Sequence, residues 1–452
     1  RRMNGRAAAD FLAYAAVDCC EDTFFDGVLK LQHGHNLLFD LEDATFRVER
    51  YYDPPLEIRR DMSPRDAASR LKELLADSVR LRLRSDVEVG SCLSGGIDSS
   101  SIVCMMNREL STRSGSALQR TFTSHFDEEE ANELRYAEEV IRATGVRPHI
   151  TRPTPQDLLN DLHQLVWHQE EPFASTSIFA QWSVYKLAAE HRVKVMLDGQ
   201  AADEILGGYA SLRPTFLAEL ATKRRRALLA WERWRQLVLD PTSALSASGV
   251  ARRIIRRRTP APNRPDAPIS PLRESVAAEL DGRSRFIASQ TATRFPEDES
   301  FNNLLYRLAF VNNLQSLFRY QDRNSMAFGV EARVPFADHR LVEFALQLPS
   351  TLKIRHGYTK RVLRDAMEDV LPDLIRWRVN KLGFATPERA WQRAALKPLI
   401  IETLRDERLA AYVDPDRATK AISQLDHLPV ANAALWRCAS LSLWHRQYDL
   451  TG

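Results

Sequence analysis

Residues 94–100 read Ser94-Gly95-Gly96-Ile97-Asp98-Ser99-Ser100. Two glycines let a backbone turn sharply and approach a ligand closely. The serine hydroxyls donate hydrogen bonds, and a helix opening near Ser99 adds N–H groups and a positive dipole end. Together these make a cradle for phosphates. Asp98 is out of place there unless a cation stands between it and the anion, and Mg²⁺ takes one or two carboxylates together with phosphate oxygens. The Gly-x4-Gly-Lys-Ser/Thr spacing of a Walker loop is absent. A second acidic loop, Asp198-Gly199-Gln200-Ala201-Ala202-Asp203-Glu204, also follows an apolar run. If the two preceding strands are neighbours, Asp98 and Asp203 can share magnesium at the carboxyl ends of the strands. Acids at a helix start for dipole reasons alone would look the same in the second loop.

The elements that must hold these loops alternate. Residues 86–93, 120–126, 147–151 and 194–198 have strand character, and residues 63–84, 133–145 and 178–191 have helical character. Ser63-Pro64 opens the first helix as cap and first-turn proline, and Gly145 closes the second. Alternating strands and helices predict an α/β fold, a parallel twisted sheet flanked by helices. From about residue 212 the chain turns helical, with one apolar helix expected over 300–319. Five prolines within 259–271 mark a loop or linker. Residues 1–53 suggest two short strands around Gly34-His35-Asn36, and Cys19 and Cys20 are expected as small buried hydrophobes inside a helix.

Several segments in order carry a family resemblance. The Ser-Gly-Gly-Ile-Asp-Ser-Ser loop is similar to the pyrophosphate loop of the ATP pyrophosphatases. With residues 199–209 and 320–349, together with 358–367 and 380–387, the chain resembles the synthetase domain of glutamine-dependent asparagine synthetases and their relatives. The resemblance covers about residues 54–395 and implies an adenine-nucleotide α-hydrolase-like sheet with a helical C-terminal part. It divides the chain into 1–53, a remnant of a glutaminase domain, and 54–452, the synthetase domain with a basic helical insertion and Pro-rich linker around 212–299.

The implied reaction is ATP-dependent amide formation through an acyl-adenylate, with ATP and Mg²⁺ as cofactors. ATP is expected at Leu93, Ser94, Gly95, Gly96, Asp98, Ser99 and Ser100, with adenine near Ser124, Asp198 and Gly199. Lys381 matches the family lysine that meets pyrophosphate, and Lys360 and Arg323 are weaker candidates for the same charge. Glu331 and Arg333 either form a supporting ion pair or touch substrate. Ser175 either touches a polar substrate or caps a helix, and capping is the better-supported reading.

Two departures from the family matter. Asparagine synthetases usually carry glutamate where this chain has Gln200, and glutamine cannot accept a proton. Residues 1–53 hold no N-terminal cysteine nucleophile, so the chain as it stands is expected not to hydrolyse glutamine. The implied partners are a small-molecule or peptide carboxylate and a nitrogen source, glutamine or ammonia; a homodimer is compatible with this reading. Ring closure or ligation of another amine is the nearest alternative, and a pyrophosphate-loop enzyme acting on RNA is the alternative from another class.

Composition sets outer bounds. Hydrophobic content of 44% and charged content of 27% are ordinary for a globular protein. Net charge is only +3, so the basic runs 223–226 and 252–258 are the sole call for nucleic acid or membrane, and neither partner is expected. No apolar run reaches the roughly 18 residues of a membrane span. The 5 cysteines include no Cys-x-x-Cys pair, which argues against zinc or a disulfide framework and for a cytoplasmic setting.

Overall fold

The computed structural model describes residues 1–54, 57–114, 119–128, 133–239, 268–279, 284–379 and 386–450. The basic run 252–258, most of the Pro-rich stretch and Lys381 lie outside the described residues.

The N-terminal part opens with α1 (Gly5–Tyr14), capped by the Asn4 side chain on Ala7 N–H. It then forms an antiparallel hairpin of β1 (His35–Phe39) and β2 (Phe46–Arg50). The reversal falls at Asp40–Thr45, not at Gly34-His35-Asn36. Asp40 and Asp43 side chains accept the Glu42 and Thr45 N–H groups and supply the turn. Gly34 sits instead at the open end, where its carbonyl takes Tyr51 and Tyr52 N–H. α1 stops before Cys19 because Ala15 adopts the left-handed conformation. Cys19 and Cys20 therefore lie in a half-exposed bend, not in a buried helix.

The sheet that positions the site is five-stranded and wholly parallel: β3 (Val89–Cys92), β4 (Arg120–Ser124), β5 (Arg147–Thr151), β6 (Val195–Leu197) and β7 (Glu331–Arg333). Its order is β5-β4-β3-β6-β7. The chain builds outward from β3 through β4 to β5, then crosses back to lay β6 on the other side of β3. That reversal makes the β3–β6 boundary the switch point where such sheets bind ligands. The helix α2 (Pro64–Arg82) precedes the first of these strands, and α3 (Ile97–Ser114), α4 (Leu134–Thr144), α5 (Pro155–Gln169), α6 (Ser177–Glu190) and α7 (Ala202–Leu206) fall between them. α2, α3, α4 and α7 contribute to one large core with Leu93 and Leu197. A smaller core holds Cys92, Phe122 and Met196 against Val184 and Tyr185 of α6. α1 and α5 pack into a further core with the C-terminal helix Ala433–Gln447 through Phe11, Leu162, Trp436 and Trp444.

The helical region continues with α8 (Arg213–Thr222) and α9 (Arg226–Leu239). The single helix expected over 300–319 is interrupted. Ser300–Arg307 runs into a π turn at Leu308–Asn312, and a new helix begins at Leu314 and ends at Met326. Asn313, at φ −139° and ψ −60°, makes the break. Polar Asn312 and Asn313 interrupt the apolar run, and π turns of this kind gather at functional sites.

Candidate active site

Parallel pairing of β3 with β6 brings the two acidic loops side by side. Gly199 touches the first loop so closely that a Cβ there would stand 2.8 Å from Ser99 N and 3.0 Å from the Asp98 carbonyl carbon. Gly95, at φ +75°, abuts α4, where a Cβ would meet Ala137 N at 2.6 Å. Within the first loop, Ser94 N–H donates to Ser99 Oγ at 3.2 Å, and Ser94 Oγ accepts from Gly96 N–H at 3.3 Å. The loop is thus pre-shaped by its own serines, Ser94 and Ser99. Ser100 Oγ, in the first turn of α3, is fully buried and finds no hydrogen-bond partner among the described residues. Leu93 N–H bonds the Phe122 carbonyl, which ties the loop to β4 and to Ser124 at that strand's end.

Asp98 and Asp203 converge, and a lysine joins them. Lys360 Nζ lies 2.5 Å from Asp98 Oδ2 and 2.7 Å from Asp203 Oδ1. Its side chain is only 2% exposed. Burial lowers its pKa against the opposing pull of Asp98. Lys360 is itself in the left-handed conformation, φ 49°, at the start of the helix Arg361–Ala366. A candidate for pyrophosphate charge in the sequence, it here bridges the two carboxylates expected to share magnesium.

Asp198 is buried beneath the loops. It accepts Gly199 N–H at 2.6 Å and Gln321 Nε2 at 3.2 Å, and burial pushes its carboxyl up to about 6. Gln200 is half-buried in the turn between the two.

The remaining expected residues divide. Arg333 pairs with Glu331 (2.7 Å) on the same face of β7 and donates to the Arg82 and Arg84 carbonyls at 2.7 and 2.8 Å. Arg333 thereby holds the end of α2, with Glu331 as its ion-pair partner. Arg323 is engaged by Glu170 (2.7 Å) and Asp322 (3.1 Å), not by the pyrophosphate loop; its charge is already answered at the α5 terminus. Ser175 lies one residue before the Thr176 N-cap of α6; its Oγ accepts Ser177 N–H at 3.1 Å in a local turn and donates to Glu388 at 2.8 Å. Burial raises the pKa of that glutamate.

Glu204, which the sequence offers only as an acid beside Asp203 able to project toward the first loop, gains a defined setting, and Arg378 and Gly208 are contributors that the sequence does not single out. Glu204, buried beside Lys360, accepts from Tyr209 Oη and from Asn313 Nδ2 at 2.9 Å, and burial raises its pKa. Arg378 donates to the Gly95 carbonyl at 3.1 Å, pairs with Glu133 and stacks 3.8 Å over Tyr136, so it braces the first loop from outside. Gly208 makes room for the Asp203–Lys360 pair, since a Cβ there would overlap both side chains. The Gly-Gly-Tyr after the acidic loop was a readable signal for the last. Nothing local marks Arg378.

The residues present fit a magnesium nucleotide. Two carboxylates, an unsatisfied buried hydroxyl, a buried cation and two glycine close approaches meet at one switch point.

Comparison with known proteins bears on the family. The asparagine synthase family model matches residues 70–446. An asparagine synthetase (glutamine-hydrolysing) of Bacillus subtilis is 27% identical over 386 residues, 83% of this chain and 58% of that protein. A putative asparagine synthetase of Mycobacterium bovis is 29% identical over 449 residues, 94% of this chain and 65% of its own. A Gibberella zeae protein described as amidase chry2 is 26% identical over 420 residues, 84% of this chain and 61% of its own. The chain thus spans less than two thirds of the length of these relatives. With a model match over most of its length and the loops of that match meeting at one switch point, the chain belongs to the asparagine synthase family.

Proposed function

We propose that the chain is the synthetase part of an ATP-dependent, carbon–nitrogen bond-forming amidotransferase that works through an acyl-adenylate. The observation that carries this reading is the convergence of Asp98, Asp203 and Lys360 between two glycine-lined loops. A carboxylate is a poor acyl donor because oxide is a poor leaving group. In the first step a substrate carboxylate oxygen attacks the α-phosphorus of ATP, and the bond to pyrophosphate breaks. In the second an amine nitrogen attacks the acyl carbon, AMP leaves with the bonding pair, and the nitrogen loses a proton. Bound Mg²⁺, held by Asp98 and Asp203, would supply charge neutralisation for the departing pyrophosphate. Lys360 contributes fixed positive charge whose burial strengthens its field and requires no reorganisation during reaction. The serine-braced backbone of residues 94–100 orients phosphate oxygens. Lys381, outside the described residues, is the further cation that the family resemblance assigns to pyrophosphate.

The nitrogen donor we propose is ammonia, supplied from glutamine as the names of the bacterial relatives describe for those proteins. A second reading, ring closure or coupling of another amine, is favoured by Gln200, which cannot serve as a base for an incoming ammonium. Mass spectrometry of the product with labelled ammonium separates the two.

The test of the shared first step is Mg²⁺-dependent ATP–pyrophosphate exchange over a panel of carboxylates. Exchange is expected with at least one carboxylate and is abolished in Asp98→Ala with the circular dichroism unchanged. Full exchange by folded Asp98→Ala would overturn the assignment.

A further inference from the structure

α9 is built inside out. Trp231, Trp234, Leu237 and Val238 are 46%, 51%, 49% and 54% exposed, whereas polar Glu232 and Gln236 are 2% and 5% exposed. At 100° per residue, Ala227, Ala230, Trp231, Trp234, Leu237 and Val238 form one continuous apolar stripe on the outward side. The two indoles lie 5.1 Å apart. Exposed Arg226 and Arg233 run along one flank of the stripe, and exposed Arg224 and Arg225 stand at its N-terminal end. The helix has one carboxylate, Glu232, and it faces inward.

The inward polar face has a defined job. Glu232 accepts the His356 and Gly357 N–H groups at 2.7 and 2.8 Å, and Arg235 Nε donates to the His356 carbonyl at 3.2 Å. α9 is thereby fixed on the turn that leads directly into Lys360. The helix must therefore present its apolar side outward, where water alone gives that side no return. Isolated exposed apolar residues need no explanation, but a continuous stripe with two tryptophans does.

We propose that this stripe docks the protein on an anionic phospholipid bilayer surface. The flanking charge is of one sign, which disfavours a second copy of the same face and selects a negatively charged partner. The stripe is convex, as any helix surface is, and a bilayer interface yields to a convex apolar ridge without needing a matching groove. Tryptophan with flanking arginine is the composition that settles at the headgroup level, ring inward and guanidinium outward. The helix has 14 residues, about 21 Å, which is ample for lying in the interface plane. It is no membrane span, and no helix among the described residues is long and apolar enough to be one. Net charge alone did not distinguish this face; the outward tryptophans do. The docking stands independently of the reaction assigned to the site.

The test is flotation of the full chain with vesicles of phosphatidylcholine and phosphatidylglycerol in a 3:1 ratio, against phosphatidylcholine alone, at low and high salt. Binding is expected with the mixed vesicles, weakened by salt. The double substitution Trp231→Ala with Trp234→Ala is expected to lower partitioning at least about tenfold. Arg226→Gln with Arg233→Gln is expected to lower it roughly twentyfold. Arg226 and Arg233 are exposed, so thermal melting and ATP–pyrophosphate exchange of the arginine variant are expected to match the unsubstituted protein. The Trp231 ring also stands edge-on 6.4 Å from His356, so for the tryptophan variant the single substitution Trp234→Ala serves as the check that lost binding is not lost folding. Equal flotation by the variants, or none with the mixed vesicles, would overturn the proposal. Loss of binding only on removal of residues 240–267 would assign the lipid contact to that segment and overturn it equally. Saturable binding of an acidic protein to the stripe, with no vesicle binding, would replace the lipid by a protein partner.

Discussion

Lys360 Cε occupies the space that a Cβ on Gly208 would need. The same Cβ would overlap the Asp203 carboxylate that holds the lysine. Gly208 is not in the left-handed region, so its backbone is open to other residues and the conflict is one of side-chain space alone. Gly208→Ala is expected to part Lys360 from Asp203 and to lower ATP–pyrophosphate exchange by about 10²-fold, the scale of losing one preorganised charge contact. Its melting temperature should fall as well, because a buried ion pair is disturbed, while the circular dichroism at 25 °C stays that of the folded protein. Unchanged exchange would mean that the ion pair shifts without consequence.

Removing the lysine charge tests the same cluster from the other side. Lys360 is shared by two carboxylates whose side chains are 12% and 14% exposed. Taking one partner from a buried ion pair costs about 3–5 kcal/mol. Lys360→Met keeps the volume and should lose stability on that scale in the absence of metal. Mg²⁺ binding between the carboxylates then replaces part of the charge. Thermal melts with and without Mg²⁺ are expected to show a larger metal-induced rise for the variant than for the parent. An equal rise in both would argue against metal at Asp98 and Asp203.

What the sequence disclosed follows the range of the forces involved. The two acidic loops were legible because a glycine turn after an apolar run is a local signal, but their adjacency was only a condition in the sequence and is supplied by the pairing of β3 with β6. The bridging role of Lys360 was not legible, because it stands 262 residues from Asp98. The π turn before Asn313 was hidden for a similar reason. An apolar run looks helical throughout, and the hydrogen bond from Asn313 to buried Glu204, 109 residues away, is not visible in it. The hairpin turn was misplaced because Gly34-His35-Asn36 is the stronger composition signal, whereas the Asp40 and Asp43 side chains make the reversal. Arg323 and Arg333 drew attention as charges in a motif, and their partners, Glu170 and the end of α2, lie far along the chain.

Asp198 gives a pH signature. Its carboxyl sits at about 6, above the ordinary 3.8, because it is buried. The folded protein therefore holds this proton more tightly than the unfolded chain does. The group's favourable contribution is full below about 4 and is lost as pH rises through about 6. Asp198→Asn keeps an acceptor for Gly199 N–H, and an amide flip of Gln321 restores the other contact. The variant should gain on the order of 2 kcal/mol over the parent at pH 7 and nothing at pH 4. Urea melts at the two pH values check this. A variant destabilised at pH 7 would show that the charged carboxylate is needed structurally.

Lys353 carries the opposite sign. It is fully buried, donates to the Leu346 carbonyl at 3.3 Å, and burial lowers its pKa to about 7 from 10.5. Between those values the unfolded chain binds the proton and the folded protein does not, so this group's contribution to stability rises with pH across the window. It is lost as pH falls through about 7, where the protein must hold a buried ammonium. The nearby carboxylates do not depend on it: Glu219 accepts from Ser350 at 2.5 Å and from Lys223 at 3.3 Å, and Glu299 pairs with Arg60 at 2.6 Å. Lys353→Met, close in volume and without charge, is therefore expected to stabilise the protein at pH 6 by roughly 2–4 kcal/mol. The gain should shrink steadily and vanish near pH 10. Urea melts at pH 6, 8 and 10 measure the slope. Destabilisation at every pH would mean that the ammonium is held charged by Glu219 and Glu299 and that its burial is compensated in full.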